Sequence, residues 1–278
     1  MNNIPLVKKS SGDMELFSPE KLKRSLRLSG AADDVIEVIV EDIESWIYDG
    51  VSSKSIYDRA FSLLRKQTLD VASRYKLKKA IMELGPTGHP FEHFVGQIFK
   101  LQGFDVEVAQ VLNGHCVTHE IDVVATRDHQ QYFIECKFHH DPGKNANIQV
   151  PLYVRSRVDD IIRMRKDKPR FSGYTFFGGV VTNTHFTPDA TAYGKCSGLQ
   201  LLSWDYPAGN SLKDIVDKNK IYPVTALTQL TTPAKQKLME QGVVICRQIL
   251  EKPGILDFLG LDQRKKQRVI DEVKILVG

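Results

Sequence analysis

Two hydrophobic periods, 2 and 3.6 residues, divide this chain into strands and helices. Phe104-Asp105-Val106-Glu107-Val108 alternates residue by residue, as a half-buried strand does. The runs Glu120-Ile121-Asp122-Val123-Val124 and Tyr132-Phe133-Ile134-Glu135-Cys136-Lys137 are apolar and β-prone, and each carries acidic groups. Tyr174–Thr182 and Leu199–Ser203 read as later strands. Helical spacing governs Pro90–Gln102, where Phe91, Phe94, Val95, Ile98, Phe99 and Leu101 form one stripe. Pro90 suits the first turn of that helix, and Gly103 can end it. A second helix is predicted from about Ile148 to Lys166, after the loop Asp141–Asn147 and with Pro151 near its start. The central segment thus reads helix, three strands, helix, strand.

Before it lie two short strands about a Gly12 turn, then a helix opened by Ser18 as N-cap and Pro19 as first residue. Ile36–Tyr48 repeats apolar residues at helical spacing, and Asp70–Leu84 reads as a further helix. After it, Asp205–Asn210 is a turn-rich break. Ser211–Asn219 and three helical stretches follow, Thr232–Glu240, Val243–Leu250 and Gln263–Leu276, the last three separated by turns such as those at Gly254 and Gly260.

The candidate chemistry sits on the central strands. Side chains two apart on a strand share a face, so Glu135 and Lys137 point together while Cys136 points away. If the run holding Asp122 pairs beside this strand, two carboxylates and one ammonium converge. Metal-dependent phosphodiester hydrolysis needs that set: hard oxygen ligands for a divalent ion and a cation beside the attacking water.

Asp122 followed by Glu135-x-Lys137 resembles the signature of the PD-(D/E)xK nuclease superfamily, in particular its Mrr-like restriction endonuclease branch. The resemblance covers about Gly88 to Trp204, with Ile121 where many members carry proline. It implies that Asp122 and Glu135 bind Mg²⁺ or Mn²⁺, with the Cys136 carbonyl as a further ligand, and that Lys137 orients the water. It also implies a carboxylate turned toward the site at Glu92 and a site glutamine at Gln149. Glu92 also fits as a first-turn acid favouring the helix dipole, and Gln149 as a plain helix-start residue. Glu120 shares a face with Asp122.

The segment Val7-Lys8-Lys9-Ser10-Ser11-Gly12-Asp13-Met14-Glu15, with Ser18-Pro19-Glu20-Lys21 and Gly50-Val51-Ser52-Ser53-Lys54-Ser55-Ile56, resembles an ATP-cone over residues 3–84. That likeness implies an ATP or dATP effector touching Val7, Lys8, Lys9, Glu15, Lys21 and Ser53. Ser10 and Ser11 stand where the family usually has Arg and Asp, which removes one fork-shaped donor. No P-loop occurs, so a hydrolysed nucleotide is not expected.

The expected fold is multidomain α+β. A mostly helical ATP-cone with a small sheet spans 1–85, an αβββαβ restriction-endonuclease-like core 86–205, and a small helical domain 206–278. The net charge of +4 comes from the last part, with 12 basic against 8 acidic side chains. Arg264, Lys265, Lys266 and Arg268 cluster on its final helix, as a DNA-backbone contact or a solvated face. A second basic run on the core, Arg155, Arg157, Arg163, Arg165, Lys166, Lys168 and Arg170, offers further DNA contacts, Arg155 and Arg163 foremost.

Four unpaired cysteines read as reduced thiols, and the chain lacks both a signal-peptide core and a membrane-length apolar run; a cytoplasmic protein is expected. His89 and His93 lack the partners a zinc site needs. A double-strand break needs two cuts, which a homodimer would supply. The expected function is a Mg²⁺-dependent DNA endonuclease of the restriction or defence type, regulated by ATP or dATP. The alternatives are a nucleotide-sensing DNA-binding regulator with a non-catalytic nuclease fold, or a structure-specific repair nuclease.

Overall fold

The computed structural model describes residues 4–9, 12–67 and 69–278. They form two compact units, one from the residues up to Lys78 with Lys274–Leu276, the other from Lys79–Val273.

The first unit contains β1 (Leu6–Lys8), β2 (Met14–Leu16), α1 (Pro19–Leu28), α2 (Asp33–Trp46), β3 (Val51–Ser52) and α3 (Ser53–Gln67), and α4 (Leu69–Met82) begins in it. Its sheet has the order β2-β1-β3, with β1 antiparallel to β2 and parallel to β3. Strand alternation buries Val7 and leaves Leu6 and Lys8 exposed. Ser18 caps α1 by accepting the Lys21 N–H, with Pro19 at the first helical position. Leu26, Ile36, Ile39, Ile43 and Leu64 are buried together at the centre. Ser10 and Ser11 lie outside the described residues.

The second unit runs through α5 (His89–Leu101), β4 (Asp105–Asn113), β5 (Thr118–Arg127), β6 (Gln130–Lys137), β7 (Asn145–Ala146), α6 (Gln149–Lys166), β8 (Thr175–Thr182), β9 (His185–Phe186), α7 (Pro188–Cys196) and β10 (Gln200–Leu202). Then come α8 (Leu212–Asn219), α9 (Thr232–Glu240), α10 (Cys246–Glu251) and α11 (Gln263–Val277), of which Lys274–Leu276 belong to the first unit. The main sheet has the order β10-β8-β6-β5-β4. Strands β4, β5 and β6 form an antiparallel meander, and β8 and β10 add in parallel. Helix α5 covers one face, where Gly96 lets it close onto β4: a Cβ there would lie 3.0 Å from Val108 Cγ2. Helix α6 covers the other, burying Val150, Val154, Val158 and Ile161 against Val124, Phe133 and Val180. Gly178 permits that approach, since a Cβ there would stand 2.9 Å from Val158 Cγ2.

Four features depart from the expected elements. A helix, α7, joins β8 to β10 where none is predicted; its signal is Thr187, whose Oγ1 accepts the Ala190 N–H, followed by Pro188. Strand β4 extends to Asn113 rather than stopping at Val108. The stretch from Val243 is helical only from Cys246, because Val243, Val244 and Ile245 are buried in extended backbone and Ile245 bridges Pro223. Residues Pro253–Leu259 form a 3-10 helix in place of simple turns.

The C-terminal helices are tied into the second unit by buried polar bonds. Thr225 Oγ1 donates to the Ala80 carbonyl at 2.6 Å, and Lys235 Nζ donates to the Thr225 carbonyl at 2.8 Å. Glu272, 3% exposed, accepts from Thr228 N and Oγ1 and from Gln229 N. Chain contacts therefore group 79–273 as one body, whereas the sequence suggests a break near 205.

Candidate active site

The site forms where two strands of the meander part. Backbone pairing of β5 with β6 runs from Arg127 and Gln130 up to Val123 and Ile134. Asp122 stands one step beyond, and its Oδ2 accepts the Cys136 N–H at 2.6 Å. A side chain thus takes the place of the ladder carbonyl that the departing strand withdraws. Glu135 and Lys137 both project from the half-buried positions of β6, with Cys136 buried between them. Phe133, two residues before Glu135, packs in the α6 core, so this edge of the site faces α6.

Burial together with the neighbouring charges of Glu135 and Glu92 raises the Asp122 carboxyl to about 7, against the opposing pull of the Cys136 N–H and Arg157. Three carboxylates from β5, β6 and α5 therefore share one electrostatic neighbourhood. Glu92 lies in the first turn of α5, where His89 Nδ1 is 3.2 Å from it. Lys137 forms no ion pair among the described residues. Gln149 opens α6 with an exposed side chain that bonds to none of these groups, while its backbone N–H donates to Asn147 Oδ1.

Glu135 is held from α6. Tyr153 OH donates to its Oε1, and Arg157 Nη1 donates to its Oε2 at 2.7 Å and to the Glu120 carbonyl at 3.1 Å. Burial, then the bond to Glu135, raises the Tyr153 hydroxyl far above its ordinary range, so it stays a donor. Neither contact is predicted from the sequence. The available signal is the spacing of Tyr153 and Arg157, i and i+4 on one face of a helix that packs beneath the strand.

The end of β6 is fixed by a buried polar group on β8 and beyond it. Thr182 Oγ1 donates to the Lys137 carbonyl at 2.7 Å. Asn183 accepts the His139 N–H and donates to the His139 carbonyl, both at 2.8 Å. His139 is buried, and its Nε2 finds no partner among the described residues.

The candidate DNA contacts divide. Arg163 is exposed beside the site, whereas Arg155 is bound to Asp159 and to the Ser197 carbonyl. Arg165 leaves the expected basic run altogether: it is buried, with its guanidinium 5.0 Å from the Phe133 ring and 4.7 Å from the Phe171 ring. Arg264 and Arg268 are exposed one turn apart on α11, and Lys266 pairs with Asp257.

The first unit contains a pocket of about 310 Å³ lined by Val7, Lys9, Glu15, Lys21 and Ser53, with Tyr57 and Tyr75 among the wall residues. Lys21 and Lys9 both pair with Glu15 and pull its carboxyl down to about 2. Tyr57 and Tyr75 stack at 4.8 Å. Lys8 alternates to the opposite face of β1 and does not line the pocket.

The fold is that of a restriction-endonuclease-like core, and residues 85–206 match the restriction endonuclease family model of the Mrr catalytic kind. Residues 222–277 match the C-terminal region of AF1548-like proteins. An uncharacterised protein of Archaeoglobus fulgidus is 30% identical over 185 residues, which are 66% of this chain and 100% of that one. The solved structure of AF1548, a protein of unknown function, superposes with a TM-score of 0.56 at 30% identity, covering 69% of this chain and 99% of that one. MspJI restriction endonuclease in complex with a 27-mer oligonucleotide gives a TM-score of 0.33 at 12% identity, over 72% of this chain and 39% of that one. The chain belongs to the family of AF1548-like proteins.

Among the described residues, no helix is long and apolar enough to cross a membrane.

Proposed function

We propose that this protein is a metal-dependent DNA endonuclease whose centre is Asp122, Glu135 and Lys137. One observation carries the reading: Asp122, anchored by the Cys136 N–H, stands beside the strand that presents Glu135 and Lys137 on one face, and burial with the charges of Glu135 and Glu92 raises its carboxyl. Carboxylates crowded in this way are costly to ionise together, and a divalent cation would remove that cost.

The donor set fits Mg²⁺ or Mn²⁺, which take oxygen ligands through one or two carboxylates with waters completing the shell. No cluster of three or more metal-type side chains occurs among the described residues. The proposed set is Asp122 and Glu135 with the Cys136 carbonyl, and Glu92 nearby. A bound ion would act as a Lewis acid on the phosphodiester and lower the pKa of the attacking water. Lys137, on the same face as Glu135, orients that water and favours its deprotonated form. Asp122 is fixed by the Cys136 N–H, and Glu135 by Tyr153 and Arg157, so the two carboxylates meet substrate already oriented. Water attacks phosphorus in line and one P–O ester bond breaks. Arg163, Arg264, Lys265 and Arg268 are offered as cations for the DNA backbone.

In the same reading the first unit binds ATP or dATP as an effector. The supporting observation is its pocket, where the Glu15 carboxylate sits between Lys9 and Lys21 as a phosphate group would, beside a stacked tyrosine wall.

The deciding experiment is cleavage of supercoiled plasmid with Mg²⁺, with and without ATP or dATP, using Asp122→Ala as control. Nicking or linearisation by wild type and its loss in the variant is expected. Absence of cleavage by wild type on unmodified, methylated and branched DNA would refute the endonuclease and leave a DNA-binding regulator.

A further inference from the structure

A cleft of about 540 Å³ opens beside the carboxylates, between α6 and the turn that joins β4 to β5. Tyr153, Ser156, Arg157, Asp160 and Arg163 form its α6 wall at helical spacing. Cys116, Val117 and His119 form the opposite wall.

Asp160 joins the two walls. Its carboxylate accepts the Cys116 N–H at 2.9 Å and the Val117 N–H at 3.3 Å, with His119 Nε2 at 2.8 Å. Its backbone carbonyl accepts the His115 N–H at 3.0 Å. The bond from His119 and the two N–H groups hold the Asp160 carboxyl well below the usual range. The other acid of the cleft, Asp159, is bound by Arg155. Both acids are therefore engaged by local partners, as Arg157 is by Glu135, while Arg163 is not. Arg163 is exposed and has no ion pair among the described residues. Arg157 makes its contacts to Glu135 and Glu120 through Nη1 alone, which leaves the donors on Nη2 and Nε for a ligand. Tyr153 lies under that guanidinium at 5.1 Å and holds it in place.

We propose that this cleft is a backbone subsite for the DNA strand flanking the cleaved bond, with Arg157 and Arg163 each taking a phosphate. The six-residue step from one to the other advances about 9 Å along the helix, the axial advance of roughly three nucleotides of one strand. Guanidinium forks match phosphate oxygens, and Ser156, next to Arg157, adds a hydroxyl to the lining. Asp160 is the positioning residue that holds the hairpin wall against α6. The subsite rests on the DNA-cleavage reading and adds to it where the strand lies.

The test is duplex DNA binding by the full chain from 50 to 300 mM KCl, by fluorescence anisotropy with Ca²⁺ in place of Mg²⁺. Each lost phosphate contact lowers the slope of log K against log salt by about 0.9. Arg163→Ala and Arg157→Gln should each lower it by about that amount and together by about twice as much. Arg163→Lys should keep the wild-type slope. Lys100→Ala, an exposed cation on α5 that does not line the cleft, should also leave it unchanged. Wild type that binds with the same slope as both arginine variants overturns the subsite alone, as does an equal loss in Lys100→Ala. Wild type that shows no salt-dependent binding overturns the subsite together with the endonuclease reading.

Discussion

Replacing Asp122 by asparagine tests the electrostatics of the site without cleaving any substrate. The folded protein holds the Asp122 proton to about pH 7, whereas the ordinary carboxyl value is 3.8. Between those values the folded state binds more protons than the unfolded state, so this group's contribution to stability falls as pH rises through the window. Three pK units at 1.36 kcal/mol each set a ceiling of about 4 kcal/mol. Asparagine cannot ionise, and its Oδ1 can still accept the Cys136 N–H. In EDTA, Asp122→Asn should equal wild type near pH 4 and exceed it by about 2–4 kcal/mol at pH 8, roughly 1–2 M in the urea midpoint. Burial lowers His93 and His139, which act in the opposite direction, but both occur in the two proteins and cancel in the difference. Unfolding of the second unit can be followed through Trp204 in a Trp46→Phe background, since Trp46 lies in the first unit. Mg²⁺ should then stabilise wild type and leave Asp122→Asn unaffected. A gap that is absent at pH 8, or that does not vary with pH, would refute the carboxylate crowding on which the metal assignment depends.

Gly114→Ala should destabilise the second unit by about 1–3 kcal/mol in the same urea assay, because its Cβ would collide with Asp160 Oδ2 and meet the Val117 carbonyl at 2.6 Å. A neutral result would mean the hairpin is not clamped. Glu272→Ala should cost about 2–4 kcal/mol by leaving two backbone N–H groups and a hydroxyl without their acceptor, while Glu272→Gln should cost less; equal stabilities would remove its tethering role. Lys9→Ala should weaken ATP binding by at least fivefold in calorimetry on the full chain, and unchanged affinity would place the nucleotide elsewhere.

The local code of the chain is strong where period and punctuation agree. Ser18-Pro19 and Gly103 after the α5 stripe mark helix ends that the structure reproduces. The same rules could have found α7 from Thr187-Pro188, but its short and weakly patterned sequence hides it among the loops. The extended backbone from Val243 to Ile245 escapes such rules, because a buried β-branched run fits either period until its partner, Pro223, is known.

The sequence by itself determined which residue types lie on β5 and β6, and that Glu135 and Lys137 share a face, since alternation is a property of a single strand. It could not determine that Asp122 would sit where the strands part, that Tyr153 and Arg157 would grip Glu135, or that Asp160 would clamp the hairpin. Those contacts join residues 14 to 44 positions apart. The raised Asp122 carboxyl likewise belongs to no single residue. It arises only when packing excludes water and brings three carboxylates from three separate elements into one field.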